Sequence, residues 1–190
     1  MKIIESIIKF SVFWYISLVV SSCMFYSMAG SIPAHINSIA IPIVENQTAE
    51  FGMSESVTEN LIEKFNEENI LRVTDEDQAT SILHATITKV TDAPYTFTKE
   101  EAVTEYRFTV NMKVEWYDVR EDKVLIKKNF SGWGAYGLSG DISSDGIDND
   151  NDGLIDGDDN NEFGDPREFA TSAAVTKIAE DVLNEIMTSW

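Results

Sequence analysis

The stretch that decides the fold is TEYRFTVNMKVEWY, which runs from Thr104 to Tyr117. Large apolar side chains occupy the even positions from Tyr106 to Trp116, and polar or charged side chains occupy the odd positions between them. A period of two over this length is typical of a β-strand with one buried face and one solvated face. The stretch therefore predicts a long, half-buried antiparallel strand.

Further strands are expected on both sides of this one. Residues 92–102 contain Pro94 and three consecutive charged residues, so they are expected to form the hairpin tip before it. In the strand that follows, Val124, Ile126 and Phe130 are expected to point inward. The predicted strands are Ser38–Val44 at a sheet edge, Ile82–Val90, Thr104–Tyr117 and Lys123–Trp133.

Apolar side chains recur at helical spacing in two other places. One amphipathic helix is expected over residues 54–67. A second is expected to begin at Asp165 and Pro166, a cap residue followed by proline at the first helical position, and to run nearly to the C-terminus. Such helices need a sheet to cover. The sequence therefore predicts an α+β two-layer sandwich, in which two helices cover one face of a mostly antiparallel sheet of about four strands.

The composition excludes several classes of function. The 190 residues carry 14 Lys and Arg against 33 Asp and Glu, a formal net charge of −19, so binding of nucleic acid by phosphate neutralisation is not expected. One cysteine, Cys23, and two histidines, His35 and His84, leave no intramolecular disulfide, thiolate cage or multi-histidine site. His84 falls on the strand face opposite Leu83 and Ala85, so we expect a surface side chain, and no enzyme is indicated.

The first 22 residues are predicted to be a signal peptide. A basic start, an apolar run of 11 residues and small residues before Cys23 have the secretory layout, and the run is shorter than the roughly 20 residues that span a bilayer. Val20, Ser21 and Ser22 directly before Cys23 resemble the bacterial lipobox, which implies that Cys23 is the acylated first residue of a lipid-anchored protein. Met24 in place of Asp then favours the outer membrane. The alternative is an ordinary cleaved signal followed by an unmodified thiol.

Several segments of the chain, in this order, match the pattern of one known family. They are SIAIPIVENQT at 38–48, ENLIEKF at 59–65, LRVTDEDQAT at 71–80, ATITKV at 85–90, TEYRFTVNMKVEW at 104–116 and FSGWGAY at 130–136. Together they resemble the lipopolysaccharide-assembly lipoprotein family, LptE. The resemblance implies a single domain over residues 23–190, with an acidic insert at 140–165, and two helices against a four-stranded sheet.

The resemblance also implies a function. Such a lipoprotein sits as a plug inside the outer-membrane barrel LptD, with its domain in the periplasm and barrel lumen, and helps the barrel assemble and deliver lipopolysaccharide to the outer leaflet. The alternative is an independent periplasmic module that binds glycan or protein in a calcium-dependent way. An enzyme comes third, because no pairing of nucleophile and base is evident.

Lipopolysaccharide is expected, by the same resemblance, to contact basic side chains of the sheet. The candidates are Lys89, Lys99, Arg107, Lys113, Lys127 and Lys128. The polar face of an exposed sheet explains these residues equally well, and the acidic domain repels an anionic glycolipid unless they are clustered. The lipopolysaccharide-contact residues therefore stay open.

The acidic insert departs from the family pattern. Between residues 141 and 168, eleven acids stand against Arg167 alone, and residues 148–159 follow the pattern DxDxDGxxDxxD. This resembles the calcium loops of thrombospondin type 3 repeats and EF-hand-like proteins, in which alternate carboxylates and one backbone carbonyl bind the ion and a glycine makes the turn. The alternative is a solvated, disordered insert. The predicted Ca²⁺ ligands are Asp148, Asp150, Asp152, Leu154 through its carbonyl, Asp156 and Asp159.

Calorimetric titration of the purified chain tests this calcium site. We expect a dissociation constant on the order of 10⁻⁴–10⁻³ M, because loops of this kind in extracellular proteins bind weakly. The matched variant carries Asp148→Asn and Asp152→Asn together and is expected to lose the binding heat. Equal heats from both proteins, or none from either at millimolar calcium, would leave the segment as an acidic insert without a metal site.

Overall fold

The computed structural model describes residues 32–137 and 164–189, together with 142–144, 146, 148, 153–155 and 158 of the intervening segment. Within these residues the chain forms six strands and two α-helices, and residues Ile142–Ser144 form a 3-10 turn. The strands are β1 (Ser38–Ala40), β2 (Glu45–Asn46), β3 (Arg72–Val73), β4 (Ser81–Phe97), β5 (Val103–Asp118) and β6 (Lys123–Gly137).

The strands form one mixed sheet in the order β3-β1-β4-β5-β6, and β2 pairs with β4 farther along from β1. The three long strands pair antiparallel, while the short strands pair in parallel. The predicted α+β class is confirmed. The predicted number of about four strands is too low, because β1, β2 and β3 are only two or three residues long and are too short to show a period of two.

The two helices are α1 (Met53–Glu68) and α2 (Pro166–Thr188). The predicted bounds of α1 are right to within one residue at each end, and the predicted start of α2 is confirmed. The side chain of Asp165 accepts a hydrogen bond from the Glu168 N–H at 3.0 Å, as an N-cap residue does. In the part of the chain that is described, neither helix has the length and apolar character needed to cross a membrane.

The core lies between the helices and one face of the three long strands. As predicted, the even residues of β5 from Phe108 to Trp116 are all buried, and so are Ile126 and Phe130 of β6. The prediction for Val124 is wrong, since its side chain is 39% exposed. A register shift after Trp116 places an extra residue in β6 and reverses the side-chain alternation at the start of that strand.

The prediction for the hairpin tip is also wrong in part. β4 continues to Phe97, and the residue pairs include Ala93 with Arg107 and Pro94 with Tyr106, so only residues 98–102 form the tip. Pro94 lacks an N–H donor but is tolerated, because β4 has no described partner on its other side this far along.

Helix α2 contacts β6 at two glycines. A Cβ atom added to Gly132 or Gly134 would collide with the carbonyl oxygen of Ala174 or Ala170, respectively. Both alanines are completely buried. The helix and strand backbones therefore approach each other at a distance that only small residues allow.

The first turn of α2 is tied to the sheet by Arg167. Its Nε donates to Asp92 Oδ2 at 2.8 Å and its terminal nitrogen donates to Glu50 Oε1 at 3.0 Å. The hydroxyl of Tyr136 donates to the same Asp92 carboxylate at 2.7 Å. Burial, together with this carboxylate, raises the pKa of Tyr136 to about 12. The network joins the start of α2 to β4, β6 and the loop before α1.

Substitution of Gly134 by Ala tests the close approach. We expect the free energy of unfolding to fall by about 1–3 kcal/mol, because the new methyl group must push the helix from the strand. Glycine-to-alanine changes inside a strand ordinarily stabilise, so the expected sign is opposite to the intrinsic preference. Urea denaturation provides the measurement, and Ser131→Ala on the same strand, at an exposed side chain, is the control. Equal stability of Gly134→Ala and the unsubstituted protein would contradict the packing.

Candidate functional site

The candidate site is the face of the sheet opposite the helices, which we name the open face. The odd residues of β5 from Arg107 to Glu115 lie on it, together with their neighbours on β4 and β6. These β5 residues are exposed or partly buried, in contrast to the buried even residues, and no described helix covers them. The alternation in the sequence thus produces a polar surface that is available to a ligand.

Arg107 lies between two aromatic rings on this face. Its Cζ atom is 3.5 Å from the ring centroid of Tyr95 and 4.0 Å from that of Trp133. The residues directly beside Arg107 on β4 and β6 are Ala93 and Ala135, whose small side chains leave room for the two rings. The rings belong to Tyr95, two residues after Ala93, and to Trp133, two residues before Ala135, and both contact Arg107 on the same face. We name Tyr95, Arg107 and Trp133 the arginine clamp.

The clamp positions the guanidinium in a particular way. Each aromatic ring stabilises the cation by roughly 0.5–2 kcal/mol. The Nε atom of Arg107 is buried without a hydrogen-bond partner, and the side chain forms no ion pair with any carboxylate in the described ranges. The donors at the edge of the plane therefore remain for an oxyanion, and phosphate and carboxylate both match this geometry.

Two of the other basic candidates are already paired. Lys127 Nζ lies 2.6 Å from a carboxylate oxygen of Glu115 on the open face, and this hydrogen bond lowers the pKa of Glu115. Lys128 points to the other side of the sheet, where its Nζ lies 2.6 Å from a carboxylate oxygen of Glu185 on α2. These ion pairs reduce the ability of both lysines to attract an anion.

The remaining candidates differ in position. Lys89 pairs in register with Asn111, and Lys113 lies two residues farther along β5, so both lysines are on the open face with Arg107. Neither forms an ion pair within the residues the structure describes. Lys99 lies in the hairpin tip, away from the regular strands. The open face thus carries three cations, at Lys89, Arg107 and Lys113, that form no close ion pair with a described carboxylate, although the charge of Lys113 contributes to the lowered pKa of Glu115.

His84 is exposed on the open face, where it pairs in register with Glu115, and its predicted surface position is confirmed. Sequence reasoning selected Arg107 for its charge but missed Tyr95 and Trp133. Tyr95 falls within the predicted hairpin tip, where the sequence pattern does not indicate which face of the sheet a side chain occupies. The aromatic character of both residues was the only signal in the sequence.

The acidic insert is described only in part. Of the predicted calcium ligands, Asp148 and Leu154 are described. Gly153 has a positive φ of 97° and its N–H donates to Asp148 Oδ2 at 3.0 Å, so the chain turns where the pattern predicts. Calcium binding stays a prediction. The predicted site residues that lie outside the described ranges are Cys23, Asp150, Asp152, Asp156 and Asp159.

Comparisons with known proteins point to one family. The model of the lipopolysaccharide-assembly family, LptE, matches residues 36–189. No curated protein matches the sequence.

Solved structures that match the chain come from several bacteria. A Xanthomonas campestris protein is 8% identical, with a TM-score of 0.52, and the match covers 83% of this chain and 90% of that one. A minor lipoprotein from Acinetobacter baumannii is 10% identical, with a TM-score of 0.47 and coverage of 83% and 95%. The rare lipoprotein B from Shewanella oneidensis is 10% identical, with a TM-score of 0.45 and coverage of 80% and 96%. At 8% identity, the similarity to the Xanthomonas campestris protein concerns the fold alone.

Proposed function

The chain belongs to the LptE family of lipopolysaccharide-assembly proteins, and from this premise we propose that it is a lipid-anchored partner of the outer-membrane barrel LptD. In this role it helps the barrel assemble and deliver lipopolysaccharide to the outer leaflet. The lipid is attached to Cys23, and the domain lies in the periplasm and barrel lumen. The arginine clamp is the observation that carries the proposal, because it presents a cation to an anionic glycolipid.

The chemistry of the open face supports this ligand class. Lipopolysaccharide carries phosphate and carboxylate groups, and the free edge of Arg107 matches either group through two parallel hydrogen bonds. Lys89 and Lys113 lie on the same face and add positive charge. Tyr95, whose ring contacts Arg107, is 44% exposed, and Phe97, two residues farther along β4, is 57% exposed, so β4 also offers apolar surface. Charge and apolar surface together suit an amphipathic ligand better than a simple anion.

The positive charges on the open face explain how a chain with a negative net charge can bind an anionic glycolipid. A net charge of −19 repels anionic ligands at long range. At about 0.15 M ionic strength this repulsion is screened beyond ~8 Å, so contacts at the open face depend mainly on nearby groups. Those groups include three cations that form no close ion pair with a described carboxylate. An acidic protein can therefore hold an anionic glycolipid at this one face.

Purification from membranes tests the partnership. A tagged full-length chain is expected to retain a large barrel protein, and its depletion is expected to lower both the assembled barrel and the lipopolysaccharide at the cell surface. A chain that purifies as a partner-free monomer, with normal surface lipopolysaccharide after depletion, would contradict the proposal and favour a separate periplasmic binding module.

Substitution of Arg107 tests the ligand. Arg107→Gln is expected to weaken lipopolysaccharide binding by about tenfold or more, because a hydrogen bond to a charged group contributes roughly 1.5–3 kcal/mol. Arg107→Lys is expected to recover only part of the loss, since lysine keeps the charge but lacks the fork of donors. Binding is measured by competition with fluorescent lipopolysaccharide, and melting temperatures verify that each variant folds.

Lys127→Gln is the matched control for this experiment. It removes one positive charge from the same face, but that charge is already paired with Glu115. We therefore expect nearly unchanged binding in the control. Equal losses in Lys127→Gln and Arg107→Gln would show that only total charge matters and would contradict a role for the clamp.

A further inference from the structure

A second group of functional side chains lies at the other end of β5 from the arginine clamp. Here the first described residues of the chain meet the β5–β6 turn. His35 Nε2 lies 2.6 Å from Asp118 Oδ2. The ligand-donating atoms of His35, Asp118 and Glu121 all lie within 4.8 Å of one another.

Asp118 is held in a fixed orientation within this group. Its side chain is completely buried, and Oδ1 accepts hydrogen bonds from the backbone N–H groups of Arg120 at 2.9 Å and Glu121 at 3.1 Å. Oδ2 is thereby directed at His35. Metal-bound carboxylates are commonly oriented by such outer hydrogen bonds, so the backbone of the turn already supplies the support that a ligand needs.

We propose that His35, Asp118 and Glu121 form a Zn²⁺ site. The donor set is one imidazole nitrogen and two carboxylate oxygens, which zinc accepts at about 2.0–2.2 Å, whereas calcium and magnesium prefer oxygen ligands throughout. Ligand atoms around a tetrahedral zinc ion lie about 3.3–3.6 Å apart at these bond lengths. The three groups therefore need only side-chain adjustments, and Glu121 is exposed and free of the core.

The imidazole changes its tautomer on binding. Without metal, the Nε2–H of His35 donates to the Asp118 carboxylate. Zinc takes the Nε2 lone pair, so a neutral ring gives up its proton at Nε2 and gains one at Nδ1 by exchange with solvent, and no net proton is released. Three protein ligands leave a fourth position on the solvent side for water, the arrangement of an open zinc site.

The site joins two segments that are 83 residues apart in the sequence. One is the start of the described chain at residues 32–36, and the other is the turn at residues 119–122. Zinc would fasten the segment that leads from Cys23 onto the sheet and so restrict the direction in which the domain hangs from the membrane. That consequence rests on the proposed lipid anchor, whereas metal binding itself does not.

Titration of the purified chain with Zn²⁺, without any partner protein or lipid, tests the site. Millimolar calcium is kept present throughout, so that binding of zinc to the acidic insert is suppressed. We expect one zinc ion per chain, and at least a tenfold loss of affinity in His35→Asn and in Glu121→Gln. His84→Asn removes the only other histidine, which also pairs with a glutamate, and is expected to bind zinc like the unsubstituted protein.

A second variant and the histidine NMR signals distinguish loss of the zinc site from loss of the fold. Glu121 is exposed, so Glu121→Gln tests the site even if His35→Asn disturbs the fold, and the histidine NMR signals should show zinc acting at His35 and leaving His84 unchanged. Zinc binding of equal strength in the unsubstituted protein and Glu121→Gln, or no binding in either, would overturn the proposal. Neither barrel nor lipopolysaccharide is present in the titration, so its result is independent of the proposed function.

Discussion

The packing of helix α2 against β5 and β6 is the contact on which the rest of the structure depends. Ala170 and Ala174 lie against Gly134 and Gly132, and this close approach lets the helix bury the even side chains of β5. Once one face of the strand is taken, the odd side chains must occupy the other face. The open face, with Arg107 on it, is therefore a direct consequence of how the core is packed.

The same strand separates two sites. Arg107 and Asp118 are eleven residues apart on β5, which corresponds to about 36 Å along an extended strand. The clamp lies toward the β4–β5 hairpin, and His35 meets Asp118 at the end where the chain enters the fold. The end of the sheet at which the described chain begins is thus distinct from the end that carries the arginine clamp, and a long paired strand joins them.

The partners of the basic side chains explain how an acidic chain can offer a positive charge to a ligand. Lys127, Lys128 and Arg167 are each paired with carboxylates, which offset their positive charge locally and occupy part of their hydrogen-bonding capacity. Arg107 is instead held by the faces of Tyr95 and Trp133. Aromatic faces stabilise the charge but accept none of the hydrogen bonds that the guanidinium edge donates, so the edge keeps its affinity for an oxyanion.

The sequence by itself determined the elements whose signals are local: the period of two in β5, the helical spacing of α1 and the cap at Asp165 that begins α2. The tertiary structure alone decided which strands pair and in which register. Pairing with neighbouring strands defines the short strands β1, β2 and β3, which the sequence pattern does not predict individually. Pairing also turns Val124 outward and places Arg107, alone among the six basic candidates, between two aromatic rings. The alternation of buried and exposed side chains along a strand is visible in that strand's own sequence. The neighbours of a side chain on adjacent strands depend on pairing between segments that are far apart in sequence.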